Sequence, residues 1–278
     1  MKRTLKKYLP RPVIQKIIIA RDILKLALVP KNIFAEECLR NDLTAEKIDA
    51  FFKDDSYKSG WQSAFEGINS IFRETVPGGG VNPGDRRALY YLIRALQPEK
   101  LLEIGTHVGA STVFLAAALR DTSKTSRMTT VDILDVNAAD SPWYQQKLSY
   151  SPKDFLEKLG TSDYVTFRVS PSSTYLENTD ETFDFIFLDG DHSAKTVYQE
   201  VSLALNKLNS GGVILLHDYY PEAKSLFRDG NIISGPFVAL KRIMKENPNI
   251  RVIPLGDLPW PTKNNLNVTS LALVTRLT

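Results

Sequence analysis

Two short runs concentrate groups able to hold a cation or move a proton: Leu188-Asp189-Gly190-Asp191-His192 and Leu216-His217-Asp218-Tyr219. Carboxylates are hard oxygen ligands that suit Mg²⁺ better than zinc, so Asp189 and Asp218 read as a pair able to converge on one such ion. Imidazole titrates near neutrality, which makes His192, three residues beyond Asp189, a candidate general base. His217 reads either as support for Asp218 or as a direct ligand. The chain has three histidines, His107, His192 and His217, and all three fall beside expected strand ends.

A second constellation lies upstream. Glu103 closes an apolar run and is followed by Gly105, His107, Gly109 and Ser111, a turn that opens a helix. Gly105 allows a tight turn and Gly109 a close backbone approach to a ligand, while the helix start at Ser111 presents free N–H groups to an anionic group. Asp132 ends the next apolar run, placed to accept both hydroxyls of a ribose. Acids at both strand tips, with no Lys or Arg in the glycine loop, fit a nucleoside without phosphates. S-adenosylmethionine, with its sulfonium, ammonium and ribose, is such a ligand.

The surrounding pattern supplies the elements that must position these groups. Short apolar runs at Lys100–Ile104, Met128–Ile133, Val165–Val169, Phe183–Leu188 and Gly212–Leu216 are mostly separated by helical stretches such as Ser111–Leu119 and Ala194–Leu208. Unalternated apolar strands between helices mean a parallel sheet covered on both faces. Ile250–Pro254 and Val268–Thr275 have no helix between them and are expected to pair antiparallel. The fold class is therefore α/β: a Rossmann-like seven-stranded sheet of five parallel strands plus a C-terminal antiparallel pair, behind a helical N-terminal extension. The breaker cluster Val76–Gly84 marks the junction, dividing the chain into an extension (1–76), a Gly/Pro linker (77–84) and the catalytic domain (85–278).

The run Glu103-x-Gly105-x-x-x-Gly109, Asp132, the strand Phe183–Leu188 with Asp189-Gly190-Asp191-His192, and Gly211–Leu216 with His217-Asp218 resemble class I S-adenosylmethionine-dependent methyltransferases. Within these the sequence is most similar to the metal-dependent O-methyltransferases, the catechol-type enzymes and the branch that methylates macrolide sugars. The resemblance covers residues 85–278. His107 stands where many members carry a third glycine, although the catechol-like branch also has a bulky residue there. The resemblance implies that Glu103 holds the methionine ammonium through the loop or water, that Ser111 holds the carboxylate and Asp132 the ribose, and that Ser170 and Ser172 border the adenine. It places metal ligands at Asp189, Asp218 and the next residue. That residue is Tyr219, a poor Mg²⁺ ligand, which leaves His217, Asp191 or water as the third.

The implied reaction is methyl transfer to a hydroxyl of a sugar or phenol-like small molecule. Aromatic and polar groups in Asp140–Tyr144, Tyr219–Pro221 and Arg228–Asn231 are candidates for the substrate side. A non-catalytic nucleotide-binding module, or an NAD(P)-dependent oxidoreductase or epimerase, is the alternative; the latter needs a Gly-x-Gly-x-x-Gly loop, whose middle glycine is replaced by His107. Metal-free N-methylation is a rival within the class.

The 278 residues are 43% hydrophobic and 24% charged, enough for a full core without disulfides, and the single cysteine, Cys38, excludes a Cys-based zinc site. The formal charge of +3 does not suggest nucleic acid. Residues 1–30 hold eight Lys or Arg and one acid, Asp22, whereas the remainder is net −4. In that basic segment Val13, Ile17, Ala20, Leu24, Ala27 and Leu28 share one helical face. The face is expected to pack on its own domain or on a second subunit, with a homo-oligomer anticipated and attachment to an anionic membrane the lesser reading. Charged interruptions fit a signal peptide badly, and no run reaches the ~18 apolar residues of a membrane span, so a cytoplasmic protein is expected.

Overall fold

A computed structural model describes residues 10–32, 34–72 and 80–277. Its elements, in order, are α1 (Arg11–Ala27), α2 (Ala45–Phe52), α3 (Lys58–Phe72), α4 (Pro83–Leu96), β1 (Lys100–Ile104), α5 (Thr112–Thr122), β2 (Arg127–Asp132), α6 (Pro142–Gln145), α7 (Pro152–Lys158), β3 (Val165–Val169), α8 (Ser172–Asn178), β4 (Phe183–Leu188), α9 (Ala194–Leu205), β5 (Leu208–Leu216), α10 (Gly235–Glu246), β6 (Ile250–Pro254) and β7 (Ala272–Arg276). The strands form one sheet in the order β3-β2-β1-β4-β5-β7-β6. The first five run parallel, and β7 lies antiparallel between β5 and β6. This is the expected Rossmann-like sheet.

The central strands β1, β2, β4 and β5 read as apolar runs because both faces are largely buried, whereas β3, at the sheet edge, is half-buried to exposed along its length. Leu101, Phe185, Phe187, Val213 and Leu215 point into one core with α3, α4 and α5. Leu102, Ile104, Ile186, Leu188, Ile214 and Leu216 point into the other with α9 and α10. Each such side chain contributes about 1.5–3 kcal/mol of burial. Ile48 and Phe52 of α2, and Trp61 and Ile68 of α3, sit in the first core beside Leu89 and Phe114. Much of the glycine–proline run, Val76 to Gly79, lies outside the described residues.

Two boundaries differ from expectation. Leu208 begins β5 opposite Phe183 rather than ending α9. The last strand starts at Ala272, because Val268 bridges Asp257 and Thr269 N–H donates to Gly256 O in a preceding loop.

The N-terminal helix is turned about its axis relative to expectation. Leu26 and Asp22 are buried and Ile14, Ile18 and Ile19 half-buried, whereas Val13, Ile17, Ala20, Leu24, Ala27 and Leu28 are exposed. α1 packs on α9 and α10 through the opposite face. Buried polar partners decide the orientation: Ser234 Oγ donates to Asp22 at 2.9 Å, Gln15 Nε2 donates to Gly230 O at 2.8 Å, and Arg242 grips the carbonyls of Leu26 and Val29.

At the start of α4, Asn82 caps the helix by accepting from the Asp85 N–H at 3.0 Å. A Cβ on Gly84 would overlap the backbone of Pro261 and Thr262, and Trp260 Nε1 donates to Gly84 O at 2.9 Å. This close approach holds the first turn of α4, and with it Asp85, beside the carboxyl end of β5.

Candidate active site

A crevice of about 1070 Å³ opens over the carboxyl ends of β1, β2, β4 and β5, where open α/β sheets bind ligands. Gly105, His107, Ser111, Asp132, Ser170, Ser172, Asp189, His192, His217 and Asp218 all line it.

Gly105 takes φ +98, and a Cβ there would overlap the backbone of Asp189 and Gly190. The turn is tight because the tips of β1 and β4 touch, joined by Asp189 N–H donating to Ile104 O at 2.9 Å. His107 takes φ +48 and its N–H donates to Asp132 Oδ2 at 2.8 Å. The left-handed conformation that glycine usually supplies is thus held here by a hydrogen bond. Asp132 Oδ1 accepts from the N–H of Leu134 at 3.0 Å, which fixes its carboxylate at the rim.

Three of the expected site residues are engaged by the protein itself. Gly109, at φ +78, lies close to α7: a Cβ would lie 3.0 Å from the Pro152 side chain. Glu103 is fully buried behind the crevice wall and accepts from Ser111 Oγ (2.5 Å), Thr112 Oγ1 (2.7 Å) and Thr130 Oγ1 (2.7 Å). Its burial pushes its pKa up to about 7, the hydroxyls opposing and the charge of Asp189 assisting. The Ser111 hydroxyl is therefore engaged inside the protein, and Glu103 braces the loop from behind.

Ser172 Oγ donates to Glu200 Oε1 at 2.5 Å. Glu200, on α9, is buried at the crevice wall, and burial raises its pKa to about 7. Ser170 Oγ turns to Pro171 O. Beside Asp132, Ile133 lines the crevice with 68% of its surface exposed. Sequence reading passed over Glu200 and Ile133, since a helical glutamate and a strand-end isoleucine carry no signal without their neighbours.

At the other end of the crevice, ligand atoms of Asp189, His192 and Asp218 all lie within 4.8 Å of one another. Asp218 takes φ +56, turning its carboxylate back over the sheet, and Tyr219 N–H donates to Ser270 O at 2.8 Å just beyond it. His192 Nε2 stands 3.4 Å from Asp218 Oδ2 with a side chain 38% exposed, the most open of the group. Ser193, not His192, caps α9.

His217 sits behind these groups. Its Nδ1 is 3.0 Å from Asp189 Oδ1 and 3.6 Å from Asp218 Oδ1, and its Nε2 is 3.2 Å from Asp85 Oδ2. Burial acts to lower its pKa, but the three carboxylates outweigh burial and hold it well above the ordinary value. His217 thus backs the Asp189–Asp218 pair, while the side chains whose ligand atoms converge are Asp189, His192 and Asp218. The other substitutes for a third ligand are also engaged. Asp191 accepts from Ser193 and Thr196 at the start of α9. Tyr219 is buried against Phe237.

The substrate-side expectations divide. Tyr220 and Asn231 line the crevice, joined by Arg86, Phe227, Ile233 and Lys263. Trp143 packs on the first core and Tyr144 is exposed away from the lining.

Against known proteins, residues 102–219 match the family model described as a methyltransferase domain. Over this segment the chain is similar to S-adenosylmethionine-dependent O-methyltransferases. Over 169 residues it is 25% identical to a catechol O-methyltransferase of Niastella koreensis, covering 59% of this chain and 66% of the relative. It is 27% identical over 141 residues to a caffeoyl-CoA O-methyltransferase of Stellaria longipes, covering 49% and 52%. The chain thus spans between half and two thirds of the length of these relatives. Among solved structures, the O-methyltransferase TomG from Streptomyces achromogenes in complex with SAM superposes with a TM-score of 0.53 at 16% identity, over 95% of this chain and 99% of that one. An O-methyltransferase from Bacillus cereus in complex with SAH gives 0.51 at 18% identity, over 84% and 100%. At these identities the likeness is one of fold, and the methyltransferase domain spans the strand ends that carry the crevice.

Proposed function

We propose that this chain transfers a methyl group from S-adenosylmethionine to a hydroxyl of a small molecule or sugar, with a divalent cation assisting. The observation that carries the reading is one crevice with two chemically distinct ends. At the β1–β3 tips the lining includes Asp132 and Glu200, and the glycine loop, residues 105–111, carries no Lys or Arg, which suits a cationic nucleoside and not a pyrophosphate. The lysine and arginine side chains of the whole lining, among the described residues, are Arg86 and Lys263. At the β4–β5 tips two carboxylates and an imidazole converge.

Asp132 would accept from the ribose hydroxyls, with Ser170, Ser172 and Ile133 beside the adenine. Transfer is an in-line displacement: the acceptor oxygen attacks the methyl carbon, the carbon–sulfur bond breaks, and its electron pair returns to sulfur. The enzyme's task is to align that oxygen and remove its proton. His192 stands at the open edge of the acid pair, where it can take the hydroxyl proton and pass it to solvent. The oxygen-rich donor set at Asp189 and Asp218 fits a hard cation, and such an ion, when bound, would acidify and orient the acceptor hydroxyl. His217 holds both carboxylates in place from behind.

The test is thermal stability with ligands. S-adenosylhomocysteine is expected to raise Tm by several degrees and NAD to leave it unchanged; stabilisation by NAD alone would overturn the proposal.

A further inference from the structure

α1 is apolar on two sides, and the fold uses one of them. Its inner side, with Ile18, Ile19, Asp22 and Leu26, packs on α9 and α10. On the outer side Val13, Ile17, Leu24 and Leu28 are 40%, 39%, 69% and 86% exposed. With Ala20 and Ala27 they form a continuous stripe over roughly 100° of arc. Lys16 borders one margin of the stripe, and Arg21 and Lys25 the other.

We propose that this stripe docks the protein on an anionic lipid surface, with α1 lying in the interface. The charges select that partner. Asp22, the sole acid in residues 1–30, is turned inward to Ser234 and paired with Arg21, so the outer half of α1 carries positive charge alone. No acid among the described residues pairs with Lys16 or Lys25. Two copies packed stripe to stripe would set these basic margins against each other. An anionic surface receives the apolar side chains and neutralises the margins together. Upstream, Lys2, Arg3, Lys6 and Lys7 add to the same sign. No helix among the described residues is long and apolar enough to cross a membrane, so the attachment is peripheral.

The helix that carries the docking face also adjoins the crevice through its inner side. Gln15 and Asp22, on the inner side of α1, hold Gly230 and Ser234, and between these lie Asn231 and Ile233 of the crevice wall. That wall would stand about one helix diameter, roughly 10 Å, from the lipid.

The experiment is co-sedimentation of the full chain with vesicles of phosphatidylcholine alone and of phosphatidylcholine with an equal part of phosphatidylglycerol. Binding to the anionic vesicles is expected, weakened about tenfold on the neutral ones and several-fold on raising salt from about 0.1 to about 0.5 M. Leu24→Asp with Leu28→Asp should lower binding about tenfold or more with Tm unchanged, because both side chains are exposed. Lys16→Glu with Lys25→Glu should do the same through charge. Equal binding to both vesicle types, no binding, or binding indifferent to the Leu24/Leu28 pair would overturn the proposal. So would a dimer in sedimentation equilibrium that the Leu24/Leu28 variant splits, with no vesicle binding, which would assign the stripe to a second copy.

Discussion

His217 Nε2 lies 3.2 Å from Asp85 Oδ2, and Asp85 is fully buried at the first turn of α4. This contact ties an element outside the matched methyltransferase domain to the carboxylate pair, because the same imidazole reaches Asp189 and Asp218 through Nδ1. On the proposed function Asp85 is expected to act as a positioning residue through His217. Asp85→Ala should destabilise the fold by about 2 kcal/mol, since it leaves His217 short of one buried partner. It should lower kcat more than tenfold while leaving affinity for S-adenosylhomocysteine within about twofold. Asp85→Asn, which keeps an acceptor oxygen, should recover part of kcat. Steady-state kinetics beside ligand titration separate these outcomes, and a loss confined to cofactor affinity would reject the role.

Removing Asp218 addresses the cation. Asp218→Ala, or EDTA on the wild type, should abolish turnover and leave S-adenosylhomocysteine binding intact, because the nucleoside end of the crevice does not depend on Asp218. Isothermal titration with and without chelator reads the binding half. Full activity under EDTA would restrict the mechanism to the protein's own groups.

Asp132 tests the nucleoside end. Both its oxygens are held by backbone N–H groups, those of His107 and Leu134, so the carboxylate is preorganised before ligand arrives. Asp132→Ala should weaken S-adenosylhomocysteine about tenfold or more, the loss of charge-assisted hydrogen bonds to ribose. It should also loosen the loop at His107, whose φ of +48 loses its support.

Stability should fall as pH rises through the range set by Glu103. Its folded pKa, about 7, lies above the ordinary 4.5. The folded state therefore binds the proton more tightly, and the contribution is fully present below about 4.5 and lost as pH climbs to about 7 and beyond. The span corresponds to up to about 3 kcal/mol. Glu103→Gln should flatten this slope in denaturant titrations at several pH values. A residual slope of the same sign should remain from Glu200, whose pKa is also raised to about 7. An unchanged slope in Glu103→Gln would rule out this source.

Gly105→Ala should cost more than about 3 kcal/mol and lower Tm by several degrees. The added Cβ meets the backbone of Asp189 and Gly190 at a φ of +98, where neither partner is a flexible side chain. A variant as stable as the wild type would show that β1 and β4 can part at their tips.

Much of the architecture was legible in the chain because strand patterning is local. Apolar runs such as Phe183–Leu188 need no knowledge of their neighbours to be read as strands buried on both faces, and the glycine turn after Glu103 announces a strand–loop–helix. The carboxylates at Asp132, Asp189 and Asp218 were legible for the same reason, since each lies at or within two residues of the end of such a run.

Choices between equivalent local readings belonged to the tertiary structure. α1 is amphipathic in two directions, and only tertiary partners such as Ser234 on Asp22, Gly230 on Gln15 and Arg242 on the Leu26 and Val29 carbonyls select the face that packs. Gly109 offers free space in sequence, and only the position of α7 shows Pro152 filling it. His217 could ligate or brace in sequence, and only the fold brings Asp85, 132 residues away, to its Nε2. Sequence thus determined which groups lie at the strand tips, through periodicity within a few residues. Which of those groups face one another was decided by long-range packing, because charge and burial depend on partners the local pattern does not contain.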